Sequence, residues 1–151
     1  DAIISPPMPS CLRRGAPNVG RLWPDYRTVE QDYYRRTGIF PIMHILGVKK
    51  SLVVEYPWLP ANLYKAFRRA KSLAVQDLEA IGALKVSLPW VGAELAETRE
   101  LMGPDIWSYG VAENRKDIEA LIRYSAEQGL TGPGLTPEDL FAETTLQTSR
   151  S

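Results

Sequence analysis

The sequence predicts an α/β protein that is rich in helix and poor in strand. Two apolar runs read as strands. Residues 2–4 (Ala2-Ile3-Ile4) are closed by Ser5-Pro6-Pro7, and residues 39–48 are almost entirely apolar. Beyond residue 50 the pattern changes, and apolar residues return at helical period with no further strand-like run. The chain has 151 residues, 44% hydrophobic and 24% charged, which is the size and mix of one domain with a substantial core.

The elements follow in order. The chain opens on Asp1-Ala2-Ile3-Ile4, with no initiator Met, basic leader or signal-peptide apolar region, so it reads as a strand already under way and an upstream start is expected. Pro9, Gly15, Pro17, Gly20 and Pro24 punctuate a long loop, of the kind that is functional or crosses between domains. Residues 25–36 form a predicted helix with Tyr26, Val29 and Tyr33 on one face, ended by Thr37-Gly38. Residues 39–48 are the best strand candidate, interrupted only by Pro41, His44 and Gly47. A nearly continuous apolar run suits a strand covered on both faces.

A short helix is predicted over 50–55, stopped by Tyr56-Pro57. The clearest helix spans 61–81, with Leu63, Ala66, Phe67, Ala70, Leu73, Ala74, Leu78 and Ile81 as its apolar stripe. Residues 94–102 form another, closed by Gly103-Pro104. Residues 113–128 follow, with Ile118, Leu121 and Ile122 on the buried face. Thr136-Pro137-Glu138-Asp139 is a helix start with Thr as N-cap, Pro in the first turn and Asp at the capping-box position. Residues 142–151 read as a frayed polar tail. Two isolated strands do not make a stable sheet, so partner strands are expected outside this chain.

Charge and composition exclude several function classes. Eighteen basic residues balance eighteen acidic ones, so the chain lacks the surplus positive charge of a non-specific nucleic-acid or anionic-membrane binder. No apolar run approaches the roughly 20 residues of a membrane span. One cysteine (Cys11) and one histidine (His44) leave neither a disulfide framework nor the usual Cys/His zinc set, and no metal site is expected. There is no phosphate-binding glycine loop and no nucleophile elbow.

The remaining candidates each have two readings. His44 interrupts the most apolar run, either as a general acid or ligand donor at a strand end, or as a buried histidine satisfied by a backbone carbonyl. Ser5 and Ser10 follow a strand and either donate to a ligand or belong to a proline-rich connector. Arg13, Arg14 and Arg21 lie in the same loop, where the planar guanidinium suits carboxylates and solvated surface is the alternative. Tyr26, Tyr33 and Tyr34 either meet an aromatic ligand or pack. Glu30 either meets a phenol or an arginine, or is solvated. Trp58, Trp90 and Trp107 stand at helix junctions, where packing is the default.

Several stretches in order carry a resemblance. They are GRLWPDYRTVEQDYYRRTGIFPIMH (20–44), YPWLPANLYKAFRRAKSLA (56–74), LPWVGAELAETRELMGPDIWSYGVAENRKDIEALIRYSAEQGL (88–130) and LTPEDLFAETTL (135–146). With the GIFPIMH and DIWSYG strings as its most specific parts, the chain resembles the 4,5-dihydroxyphthalate decarboxylase family, in its C-terminal portion. The resemblance implies a type II periplasmic-binding-protein-like fold of two α/β lobes around a cleft. On that view residues 1–15 end the second lobe, 16–40 cross the hinge, and 41–151 form the mostly helical C-terminal part of the first lobe.

It further implies a cytoplasmic carboxy-lyase of aromatic catabolism that needs no cofactor. His44 would be the proton donor, with Ser5, Ser10, Arg13, Arg21, Glu30 and Tyr34 binding substrate. The implied partners are a small aromatic carboxylate, further copies of the chain, and the N-terminal half of the same protein. The same fold also implies an alternative outside catalysis, a periplasmic or extracellular solute-binding protein that delivers a small organic acid to an ABC transporter.

Overall fold

A computed structural model of the chain describes residues 2–80, 82 and 85–146. The described residues form helices and connecting loops and contain no β-strand. The chain divides after Gly38 into two units.

The first unit holds two helices among its described residues. Helix α1 (Ser10–Arg13) is one turn, entered from Pro9 and closed by the Arg14 N–H on the Ser10 carbonyl at 3.0 Å. Helix α2 (Tyr26–Thr37) starts where Asp25 Oδ1 accepts the Thr28 N–H at 3.2 Å. That bond satisfies an orphan amide of the first turn, and hydrogen bonding from the Thr28 side chain and then its backbone holds the Asp25 carboxyl below its ordinary pKa. Gly38, with φ of +63°, closes α2 in the left-handed conformation, and Arg35 and Arg36 complement the dipole of its last turn. The helix lies one residue later at each end than the predicted 25–36, with Asp25 as its N-cap and the predicted Gly38 as its stop. Within its own unit α2 leaves Tyr26 and Val29 of its apolar face exposed.

The second unit carries six helices among its described residues. These are α3 (Lys50–Glu55), α4 (Leu59–Glu79), α5 (Val91–Met102), α6 (Arg115–Glu127), α7 (Pro137–Leu140) and α8 (Glu143–Leu146). Helix α4 begins two residues before the predicted start because Pro60 fits a first turn, where its missing N–H costs no hydrogen bond. Ile81, the last residue of the predicted stripe, lies outside the described residues, and Phe67 and Leu73 of that stripe are exposed. Helix α5 begins at Val91, three residues earlier than predicted, and Gly103 closes it. At α7 the Asp139 carboxylate accepts the Thr136 N–H at 2.8 Å and the Thr136 hydroxyl at 2.6 Å, which lowers the Asp139 pKa.

Side-chain pairs tie these helices together. Arg99 of α5 pairs with Glu79 of α4, and Arg115 of α6 pairs with Glu119 and with Glu138 of α7. The buried hydrophobic core is small. Among the described residues it comprises Leu95, Val111 and Ile118, at 7%, 3% and 4% exposure.

Three expectations are corrected. Residues 2–4 and 39–48 are not strands. An apolar run shows that a segment prefers to leave water, but a strand also needs a neighbouring strand to take its N–H and C=O groups, and the described residues offer none. Leu121, predicted buried with Ile118, is 49% exposed. Residues 143–146 of the predicted frayed tail form α8, which packs on α4. Residues 147–151 of that tail, like Asp1, lie outside the described residues.

Candidate functional site

Six of the seven predicted site residues belong to the first unit. Around α1, Ser5 Oγ donates to the Pro7 carbonyl at 3.1 Å and Arg13 Nη2 reaches the Met8 carbonyl at 3.4 Å. These local bonds fold the proline-rich segment back on itself. Ser5, Ser10 and Arg13 therefore share one turn region, with all three side chains exposed. The Arg21 guanidinium stacks 4.5 Å from the centre of the Tyr26 ring. Stacking fixes the plane of the fork while its N–H edges stay available to a carboxylate. Glu30 and Tyr34 are one helical turn apart on α2, so they share a face. Glu30 is exposed and Tyr34 half-buried.

His44 belongs to the second unit. Its expected burial is not observed. The ring is exposed, because residues 39–48 form an irregular segment without sheet partners to enclose it. An exposed imidazole has no need of the structural carbonyl partner that a buried one requires. This leaves its nitrogens open to a ligand.

The geometry around His44 involves residues that the sequence did not single out as site residues. The Phe40 N–H donates to Asp117 Oδ1 of α6 at 2.9 Å. The Phe40 ring meets Trp107 edge-on, with centroids 5.3 Å apart and planes at 82°. Ile42 and Ile45, on either side of His44, line an apolar cleft of about 110 Å³ with Ile118, Leu121 and Phe141. Trp107 lies in the DIWSYG loop, which is pinned from two sides. Lys71 Nζ of α4 donates to Asp105 Oδ1 at 2.6 Å and to the Trp107 carbonyl at 2.7 Å, with its charge 4.8 Å from the Tyr109 ring. Tyr64 Oη donates to the Tyr109 carbonyl at 3.1 Å.

Asn114 closes the loop from the other side. Its Nδ2 donates to the Ser108 and Gly110 carbonyls at 3.0 and 2.8 Å, and Ser108 Oγ donates to its Oδ1 at 2.9 Å. Trp107 meets Phe40 with one edge but stays 47% exposed, so the packing expected of it is only partial. Trp58 meets Tyr56 edge-on, and both Trp58 and Trp90 are exposed.

A second, wider groove between α6 and residues 133–138 has a volume of about 410 Å³. Its Arg115 is committed to Glu138 and Glu119, whose hydrogen bonds raise the Arg115 pKa, and Arg115 in turn lowers that of Glu138. A guanidinium already neutralised by two carboxylates is a poor receptor for a further anion. Among the described residues, no three His, Cys, Asp or Glu side chains come together as a metal site, and no helix is long and apolar enough to cross a membrane.

No protein-family model matches the chain. Over 147 residues, 97% of its length, it is 41% identical to the curated 4,5-dihydroxyphthalate decarboxylase of Comamonas testosteroni. The chain is similar to that decarboxylase along almost its whole length. The resemblance seen in the GIFPIMH and DIWSYG strings therefore holds across almost all of the chain. The chain spans 44% of the length of that decarboxylase. The DIWSYG string, which carried no chemistry on residue type alone, is the loop that packs Trp107 on Phe40.

Proposed function

We propose that the chain is the C-terminal part of a cytoplasmic carboxy-lyase of aromatic catabolism. Its reaction would convert 4,5-dihydroxyphthalate to 3,4-dihydroxybenzoate and carbon dioxide without oxidation. The observation that carries this reading is 41% identity over 97% of the chain to the Comamonas testosteroni decarboxylase. In this reading the fold is type II periplasmic-binding-protein-like. Residues 1–15 end one lobe, 16–40 cross the hinge, and 41–151 complete the other lobe. The remaining portion of the protein supplies the rest of the cleft, and further copies of the chain are compatible partners.

The chemistry follows from the substrate. The hydroxyl para to the departing carboxylate pushes electron density into the ring. A general acid delivers a proton to the carbon that bears the carboxylate. The bond from that carbon to the carboxylate then breaks, its electron pair returns to the ring, and carbon dioxide leaves. The proton gained equals the one donated, so the electron count is unchanged and the step needs no redox partner. In this reading His44 is the donor, since imidazole can hold and release a proton near neutral pH. Arg13 and Arg21 bind carboxylates, while Ser5, Ser10, Glu30 and Tyr34 orient the phenols. Supporting these roles, His44 and both arginines are exposed and carry donors that their local contacts leave in reach.

The test is incubation of the full-length gene product with 4,5-dihydroxyphthalate. The expected result is equimolar carbon dioxide and 3,4-dihydroxybenzoate. A purified, folded protein that releases neither would sink the assignment.

A further inference from the structure

We propose that Asp117 is a positioning residue for His44, acting through the backbone of Phe40. The proposal rests on the assignment of His44 as proton donor. Asp117 is the third residue of α6, where an acidic side chain ordinarily reaches back to an amide at the start of its own helix. Here its Oδ1 instead accepts the N–H of Phe40, 77 positions earlier in the chain, at 2.9 Å. That bond fixes the entry to the segment that carries His44.

Two further features transmit the constraint. Phe40 precedes Pro41, so steric clash with the proline ring disfavours helical geometry at Phe40, and the ring itself fixes φ at Pro41. A segment with one bonded end and two restricted residues swings less than a free loop. Beyond the proline, Ile42 and Ile45 line the apolar cleft with Ile118 and Leu121, which lie on the same helix as Asp117. Helix α6 thus holds the segment before His44 and on both sides of it, while the His44 ring stays exposed. Trp107, edge-on to Phe40, adds a second anchor from the DIWSYG loop.

The test compares Asp117→Ala, Asp117→Asn and His44→Ala, with the double variant D117A/H44A, in the full-length gene product. Asparagine keeps a carbonyl oxygen where the carboxylate accepts but loses the charge near the α6 N-terminus, as alanine does. It therefore separates the Phe40 bond from the helix-dipole term. D117A is expected to lower kcat by about 10- to 100-fold, the scale for displacing a catalytic group by about an ångström, with KM changed much less. D117N is expected to stay within about threefold of the parent. In the H44A background D117A should cause no further loss, because a donor that is absent cannot be misplaced. Amide exchange in the peptide holding Phe40 should quicken in D117A and stay slow in D117N.

An unchanged kcat in D117A, an equal loss in D117N, or a full additional loss on top of H44A would each overturn the proposal. Should D117A fail to fold, D117N decides alone, and a loss of more than about tenfold refutes the hydrogen-bond role. A fully active H44A overturns the donor assignment and this proposal with it. The exchange measurement then still reports, independently of catalysis, whether the Asp117–Phe40 bond is present.

Discussion

Gly110 is the position where a single methyl group should do the most damage to the DIWSYG loop. Its φ is +117°, well away from the left-handed well near +57° that non-glycine residues occasionally visit. A Cβ there would lie 2.5 Å from Glu113 Oε2 and 3.0 Å from the Tyr64 hydroxyl. Gly129, just beyond the α6 terminus, is the internal control. Its φ is +70° and an added Cβ meets nothing within 4 Å. Alanine at Gly129 therefore pays left-handed strain alone, about 1 kcal/mol.

Alanine at Gly110 incurs about 1–3 kcal/mol for the rarer backbone geometry. It also displaces Tyr64, whose 3.1 Å bond to the Tyr109 carbonyl contributes about 1 kcal/mol. Glu113 meets the new methyl with the end of a flexible chain and can move aside at little cost. Gly110→Ala should therefore destabilise by about 2–4 kcal/mol, clearly more than Gly129→Ala. The assay is urea unfolding of the full-length gene product followed by tryptophan fluorescence, read as a shift in midpoint at constant slope. Equal shifts for the two variants would refute the reasoning, since the geometry at Gly110 would then exert no force of its own.

Other perturbations give distinct signatures. Lys71→Ala removes two charge-assisted bonds from a side chain only 15% exposed and should cost about 1.5–3 kcal/mol, whereas Asp105→Ala at the exposed end should cost under about 1 kcal/mol. Equal costs in urea unfolding would contradict this. Asp139 has a lowered pKa because Thr136 donates to it, so its contribution is present above the ordinary carboxylate range of about 4 and is lost as pH falls through its folded-state value. Thermal melts should therefore be flat around neutrality and fall on acidification, with a shallower fall in Asp139→Asn; an unchanged profile in that variant would count against the cap. The 151-residue chain by itself exposes Ile3, Ile4, Leu22, Trp23, Trp90 and Leu130 and buries few apolar side chains among its described residues. It should self-associate in light scattering after gel filtration, and a monodisperse monomer with a sharp melt would contradict that.

The helices were legible in the sequence where local chemistry sets their ends. Asp25 and Gly38 bracket α2, Tyr56-Pro57 stops α3, and Thr136 with Asp139 opens α7, each through groups within a few residues of one another. The strands were misread because pairing is a property of two segments, and residues 39–48 show only the apolarity of one. The same limit applies to the site. His44, Arg13 and Arg21 stand out by residue type, but Asp117 does not, because its partner Phe40 is 77 positions away and an acidic residue early in a helix already has a sufficient local reason. The reach of Lys71 to Asp105 and Trp107 was not legible, because its partners lie 34 and 36 positions away. The exposure of His44 was missed because its neighbours in sequence are apolar, while the walls that would bury it had to come from elsewhere in the fold.

In the proposed reaction, a non-oxidative decarboxylation, His44 supplies the proton. Its most direct test is the reaction of the full-length gene product with 4,5-dihydroxyphthalate in deuterium oxide. The account predicts 3,4-dihydroxybenzoate with one deuterium on the carbon that lost its carboxylate, released with one carbon dioxide, and a large loss of turnover in His44→Ala. Turnover with no deuterium at that carbon, or undiminished turnover in His44→Ala, would contradict it.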